Sequence, residues 1–333
     1  MTDSDTKVEP EAEPTAEEAS RIDRRKVLIG GAAGAAVVAA GAWALTNDTK
    51  RKEVVTEVVA KRVDKVPIDD PDSSNWSKAS AATIALDVQN MAAPMKAKPF
   101  VPTVEVKSLH DGTSIAFRIE WVDTERNELT VPCDGFRDSC AVLLLPKTEN
   151  LGARIMGTAA EPATLLHWKA DWQLDVDKGF QDLEVAFPNT AFDYYPPITQ
   201  PGDPIERPDV VIPDSYEAVE GKVPGTVWLP GYHVGNPISN AKKTSSVEKL
   251  LAKGFGTAMT QATQDAVGKG VWADGSWKVV LAKPLAASDD LETALTPGST
   301  YSMAVAVWAG AENDTGGRKS PGRDLLTLRL ERG

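Results

Sequence analysis

The most regular feature of this chain is a two-residue alternation of apolar and polar positions. Thr103–Leu109 and Ser114–Trp121 flank the triplet His110-Asp111-Gly112. In the second run Ile115, Phe117, Ile119 and Trp121 share one face, and Arg118 and Glu120 share the other. With an Asp-Gly turn between them, the two runs predict a β-hairpin. Ala141–Leu145 is a short apolar run, and Ser276–Leu281 alternates Trp277, Val279 and Leu281. Tyr301–Trp308 alternates Tyr301, Met303, Val305 and Val307, and Leu326, Leu328 and Leu330 continue the pattern to the end. Arg154-Ile155-Met156-Gly157 reads as a turn, and Leu165–Trp172 as an edge-like strand. Several short strands punctuated by turns predict a mainly β fold, an antiparallel β-sandwich with a few short helices. One segment has a different period. Ser245-x-x-Glu248 has the form of a capping box, Val247, Leu250 and Leu251 are spaced as a helical face, and Gly254 follows, so Ser245–Lys253 is expected to be a helix.

The N-terminal quarter is of another kind. Residues 1–20 carry seven carboxylates and one lysine, the composition of a disordered acidic tail. Arg24-Arg25 then precedes Val27–Leu45, an uncharged stretch rich in Gly and Ala. Residues 21–45 therefore read as a twin-arginine export signal or a hydrophobic membrane-anchor helix, two readings that are compatible. Residues 46–74 are highly charged and are expected to be a linker, with the globular domain spanning 75–333. Within it, residues 188–237 hold ten prolines, too many missing donors and fixed φ angles for regular structure. An insertion of that length is expected to be functional or to cover a partner.

Charge and chemistry narrow the function. A net charge of −12 argues against nucleic acid as a partner. The two cysteines, Cys133 and Cys140, form no C-x-x-C pair and no C-x-x-C-H motif, so covalent haem attachment, iron–sulfur clusters and structural zinc have no ligand pattern. A bridge between them is left open. Of the three histidines, His110 opens the Asp-Gly turn, His233 lies in the Pro-rich segment, and His167 sits among tryptophans as a wall or hydrogen-bonding residue. No Ser-His-Asp order, phosphate loop or H-E-x-x-H motif is present. Met156 has two readings, as core filler or as a soft thioether ligand.

A set of short motifs bears on that choice. They are Thr103–Trp121 continuing into Val122-Asp123; Phe136-Arg137-Asp138-Ser139; Ile155-Met156-Gly157; His167-Trp168-Lys169-Ala170-Asp171-Trp172; Ala252–Thr257; Gly275–Val280; and Ala304–Gly310 with Lys319-Ser320. In this order, from about Asn75 to Leu330, they resemble the haem-b-binding γ subunits of type II DMSO-reductase-family molybdoenzymes. That group includes ethylbenzene and dimethylsulfide dehydrogenases and selenate, chlorate and nitrate reductases. The chain departs from the pattern at Ala309, where the family usually has an acidic residue. The resemblance implies haem b held by one Met and one Lys, here Met156 and Lys253. Lys278 is second in line for the nitrogen ligand, and Lys169 is a third candidate that reads as a pocket wall. It further implies an electron-transfer subunit without substrate chemistry of its own. Such a subunit sits on the outer face of the cytoplasmic membrane. There it passes single electrons to or from the iron–sulfur beta subunit of a complex whose alpha subunit carries molybdopterin. A lysine ligates only as the neutral amine, so burial and the iron's charge must depress its pKa. The alternative is a cofactor-free extracytoplasmic β-sandwich that binds carbohydrate or protein, its tryptophans serving as a stacking platform. A third is a structural subunit whose haem site has decayed.

Overall fold

The computed structural model describes residues 55–88, 90, 92–189, 236–240 and 242–332. The acidic tail, the twin-arginine segment and most of the Pro-rich insertion lie outside the described residues. The unit Val55–Gly333 is built on one large sheet of thirteen strands. They are β1 Glu57–Arg62, β2 Ala82–Ala85, β3 Thr103–His110, β4 Ser114–Val122, β5 Ser139–Pro146, β6 Ala163–Lys169 and β7 Val247–Ala252. β8 Met259–Thr260, β9 Val267–Ala273, β10 Ser276–Pro284, β11 Thr300–Trp308, β12 Ser320–Pro321 and β13 Leu326–Leu330 complete it. Two short helices, α1 Ala170–Lys178 and α2 Leu183–Ala186, follow β6.

The strand order is β8-β7-β6-β5-β11-β13-β1-β3-β4-β10-β9, with β12 beside β11 and β2 beside β3. All pairings are antiparallel except those of β1, which runs parallel to both β13 and β3. β1 thereby joins two antiparallel halves. It also corrects the expected boundary, because part of the 46–74 segment read as linker is a central strand. Its charged residues alternate with buried Val58 and Ala60. The two halves face each other across one core. Trp168 of β6 meets Trp277 of β10 edge-on at 4.9 Å between ring centroids, and Trp121 of β4 at 6.4 Å. Each of these buried indoles removes roughly 200 Å² from water, about 5 kcal/mol before the entropy of ordering.

The hairpin forms as its sequence predicts. The Asp111 carboxylate accepts the N–H groups of Thr113 and Ser114, and Ile115, Phe117, Ile119 and Trp121 enter the core. Segment 245–253 does not. It is strand β7, paired antiparallel with β6 from Ala163↔Ala252 to Trp168↔Val247. The helical spacing misled because both faces of this strand are buried, and Glu248 and Lys249 are buried in ion pairs. The Ser245 hydroxyl accepts from Val247 N and donates to Ala266 O, so it caps no helix. Cys133 is exposed, Cys140 is buried, and both are free thiols. Among the described residues no helix is long and apolar enough to cross a membrane.

Candidate functional site

Met156 is delivered by a short, heavily tethered turn. Asn150 Oδ1 accepts from Gly152 N and starts a 3-10 turn over Leu151–Arg154, and Gly157 N closes the segment on Ala153 O at 2.7 Å. Met156 and Gly157 then both take left-handed backbone angles, φ 69° and 71°. For a methionine this conformation costs about 1 kcal/mol or more. It is sustained by Gly254 N, which donates to Met156 O at 2.8 Å, and by Arg154, which reaches the carbonyls of Gly322 and Arg323. Gly157 has no alternative, since a Cβ there would lie 2.8 Å from Ala163 N. The thioether thus stands half-buried beside Leu143, Ala163, Leu165 and Ala304.

Opposite it stands Lys319, just before β12. The pairing Ala306↔Pro321 and Val307↔Ser320 fixes that strand beside β11. The Lys319 ammonium donates toward Met156 Sδ at 3.5 Å and lies 5.0 Å from the centre of the Trp308 ring. Burial alone lowers its pKa from the usual lysine value to about 8. No carboxylate offsets that burial. A cavity of about 280 Å³ lies against the pair, walled by Ala141, Leu165, His167, Phe255 and Trp308. A second of about 150 Å³ shares Met156, Phe255 and Lys319 and reaches Asp87 and Arg154. His167 and Trp308 lie with ring centroids 4.7 Å apart and their planes tilted by 31°, and His167 Nε2 is buried without a hydrogen-bond partner among the described residues. Burial, followed by the charges of Lys169, Arg137 and Lys319, holds His167 well below the usual imidazole range, so it is neutral.

The other three candidate lysines are placed differently. Lys253 follows the last residue of β7 and is exposed, with its backbone N–H on Thr257 Oγ1 at 2.8 Å. Lys278 lies on β10 in the other half of the sheet, paired with Asp72 at 2.6 Å. Lys169 is buried against Glu248 and covers the Trp172 ring at 3.8 Å. The structure brings Lys319 Nζ to the Met156 sulfur, while Lys253 adjoins Gly254, whose N–H bonds Met156 O. Sequence reasoning quoted Lys319-Ser320 without giving it a role. The available signal was a lysine with no acidic residue within four positions on either side, following the small residues Gly316 and Gly317. Among the described residues no cluster of three His, Cys, Asp or Glu side chains could hold a metal. Among the described residues Trp76, Trp121, Trp168, Trp172, Trp277 and Trp308 are buried and Trp272 is partly buried.

Comparison with known proteins gives three findings. No curated protein matches the chain. Two solved structures of a carbohydrate binding module family 9 from Caldicellulosiruptor kristjanssonii, with cellotriose and with glucose, overlap it loosely. They share 8% and 9% identity at TM-scores of 0.34 and 0.36, over 83% of this chain and 94% and 96% of theirs. Likeness at that level carries no argument about function. The family model described as ethylbenzene dehydrogenase matches residues 73–182 and 244–320, more than half of the chain and the parts that hold Met156 and Lys319, and the chain belongs to that family.

Proposed function

We propose that this chain is the b-type cytochrome subunit of an extracytoplasmic molybdoenzyme complex, with haem b held between Met156 and Lys319. The observation that carries the reading is the 3.5 Å approach of Lys319 Nζ to Met156 Sδ at the wall of a largely apolar cavity. The donor set fits the group. A thioether is a soft ligand that favours reduced iron, and an amine whose pKa has been lowered to about 8 gives up its proton to a metal at modest cost. Haem b bound there supplies a one-electron iron couple. The chain holds Met156 on a tethered turn and Lys319 at the start of β12. Leu165, Phe255 and Trp308 supply apolar walls, and neutral His167 lines the same cavity.

The rest of the reading follows from the family and the sequence. Single electrons pass between this subunit and an iron–sulfur beta subunit, with molybdopterin in the alpha subunit, and the substrate is handled there. Residues 21–45 export the chain by the twin-arginine route and anchor it where the segment is retained. The test is the visible spectrum of the protein purified from its own membranes or periplasm. Sharp α and Soret bands on reduction, with an iron–sulfur protein and a molybdoprotein co-purifying, are the expected result. A colourless protein that retains its fold would overturn the reading.

A further inference from the structure

Trp308 ends β11 and is buried, with Ala141 and Ala306 beside it in a small apolar cluster. The pairs Ala306↔Pro321 and Val307↔Ser320 put Trp308 opposite Lys319 at the next step of the same antiparallel register. Three contacts meet on its indole. Nε1 donates to Gly316 O at 3.0 Å, Lys319 Nζ lies 5.0 Å from the ring centre, and the His167 ring lies 4.7 Å away. The Gly316 carbonyl belongs to a tight turn, in which Arg318 N donates to Thr315 O at 2.9 Å. A Cβ on Gly316 would meet nothing within 4 Å, so the glycine serves its φ of 55° rather than a shortage of space.

A lysine is held poorly by its own chain, since its four-carbon stem is flexible. The charged groups around this one are committed to other partners. Asp87 pairs with Arg323 at 3.9 Å, Asp314 pairs with Lys96 at 2.8 Å, and Arg154 donates to Gly322 O. Among the described residues, the amine's own contacts are the Met156 sulfur and the Trp308 ring, whose electron-rich face attracts a cation. We propose that Trp308 is the positioning residue for Lys319: its N–H anchors the turn ahead of the lysine, and its ring seats the amine beside Met156 Sδ. One side chain thereby fixes both ends of the lysine, backbone and amine. Its role toward the cofactor rests on Met156 and Lys319 being the haem ligands.

Substitutions in the full-length protein separate this role from the packing of any buried indole. Trp308→Phe keeps a ring beside the amine and removes the N–H, whereas Trp308→Leu removes both. Trp172→Phe is the matched control, a buried indole with Lys169 Nζ 3.8 Å from its ring centre. Without haem, the wild type should show a Trp308 indole N–H protected from solvent exchange. The Arg318 amide should exchange about fivefold faster in Trp308→Phe, the factor one ordinary hydrogen bond supplies. With haem at a fixed neutral pH, the bound haem should be low-spin in the wild type and in Trp172→Phe. It should be partly high-spin in Trp308→Phe and more so in Trp308→Leu. A loss of packing alone would lower haem retention and leave the haem that stays low-spin. An unprotected Trp308 N–H, or bound haem that is fully low-spin in Trp308→Phe, would overturn the proposal. A protected N–H in a protein that binds no haem would overturn the Met156–Lys319 reading while supporting the anchor.

Discussion

Lys319 directs its ammonium at the sulfur of Met156, 3.5 Å away, and among the described residues at no carboxylate. The contrast with the rest of the molecule gives this contact its meaning. Lys169 is buried against Glu248, Lys249 against Asp265 and Glu292, and Lys283 against Glu292. A charged lysine taken out of water without a counter-ion is expensive, and the site lowers the cost by making the amine easy to neutralise. An uncompensated amine facing a thioether is a poor structural device and a good ligand pair.

The strained turn beneath Met156 gives the first prediction. Gly157→Ala forces a methyl onto the Ala163 backbone at a positive φ. We expect it to cost about 1–3 kcal/mol of stability and to weaken haem retention more than stability. Thermal melts of the haem-free and haem-loaded variant distinguish the two effects. An unaltered melt would show that the turn relaxes freely.

Met156→Ala removes the sulfur and leaves the fold, since the side chain is half-buried at the edge of its apolar cluster. We expect haem affinity to fall by more than about tenfold and the potential of any retained haem to drop. Redox titration of the variant against the wild type measures this, and an unchanged potential would remove Met156 from the site.

Glu292 is the anion shared by Lys249 at 2.9 Å and Lys283 at 3.0 Å, the latter a charge contact without hydrogen-bond alignment. Burial pushes its pKa upward, but the Ser288 hydroxyl and N–H and then the two lysines outweigh it and hold the carboxyl at about 2. A depressed folded pKa contributes stability above the unfolded value of about 4.5, lost as pH falls toward 2. Glu292→Gln leaves buried Lys283 without its carboxylate and Lys249 with Asp265 alone, and should cost about 3–5 kcal/mol at neutral pH. Its stability should also fall less steeply with acid than the wild type's. Denaturant melts at pH 7 and pH 3.5 check both signs.

The β texture was legible because large apolar residues recur at every second position, Ile115, Phe117, Ile119 and Trp121 on β4 and Leu326, Leu328 and Leu330 on β13, even where the other face of the strand is buried as well. β7 was illegible for the opposite reason. Its charged residues are buried in pairs, which erases the alternation and leaves a helical spacing of Val247, Leu250 and Leu251. β1 hid in a charged segment because Val58 and Ala60 alone mark its inner face. Within the site Met156 could be found from its own turn. Lys319 lies 163 residues away, and the β11–β12 pairing that carries it to the sulfur leaves no local trace. Lys253 looked better because it precedes Gly254-Phe255-Gly256. Those glycines do adopt positive φ, but what they shape is the loop that places Phe255 at the cavity.

The export reading rests on Arg24 and Arg25 ahead of an uncharged stretch. Replacing both with lysine should leave the protein in the cytoplasm, as judged by cell fractionation. Normal export of that variant would point to insertion by another route.

A pH titration of the haem spectrum tests the central claim most directly. Protons compete with iron for the amine and leave the thioether alone, so acidification should convert a low-spin haem toward high-spin reversibly while the fold survives. Lys319→Met should abolish that transition and keep a low-spin haem through a second thioether, while Lys253→Met should keep the transition. Loss of the transition in Lys253→Met together with its survival in Lys319→Met would contradict the assignment.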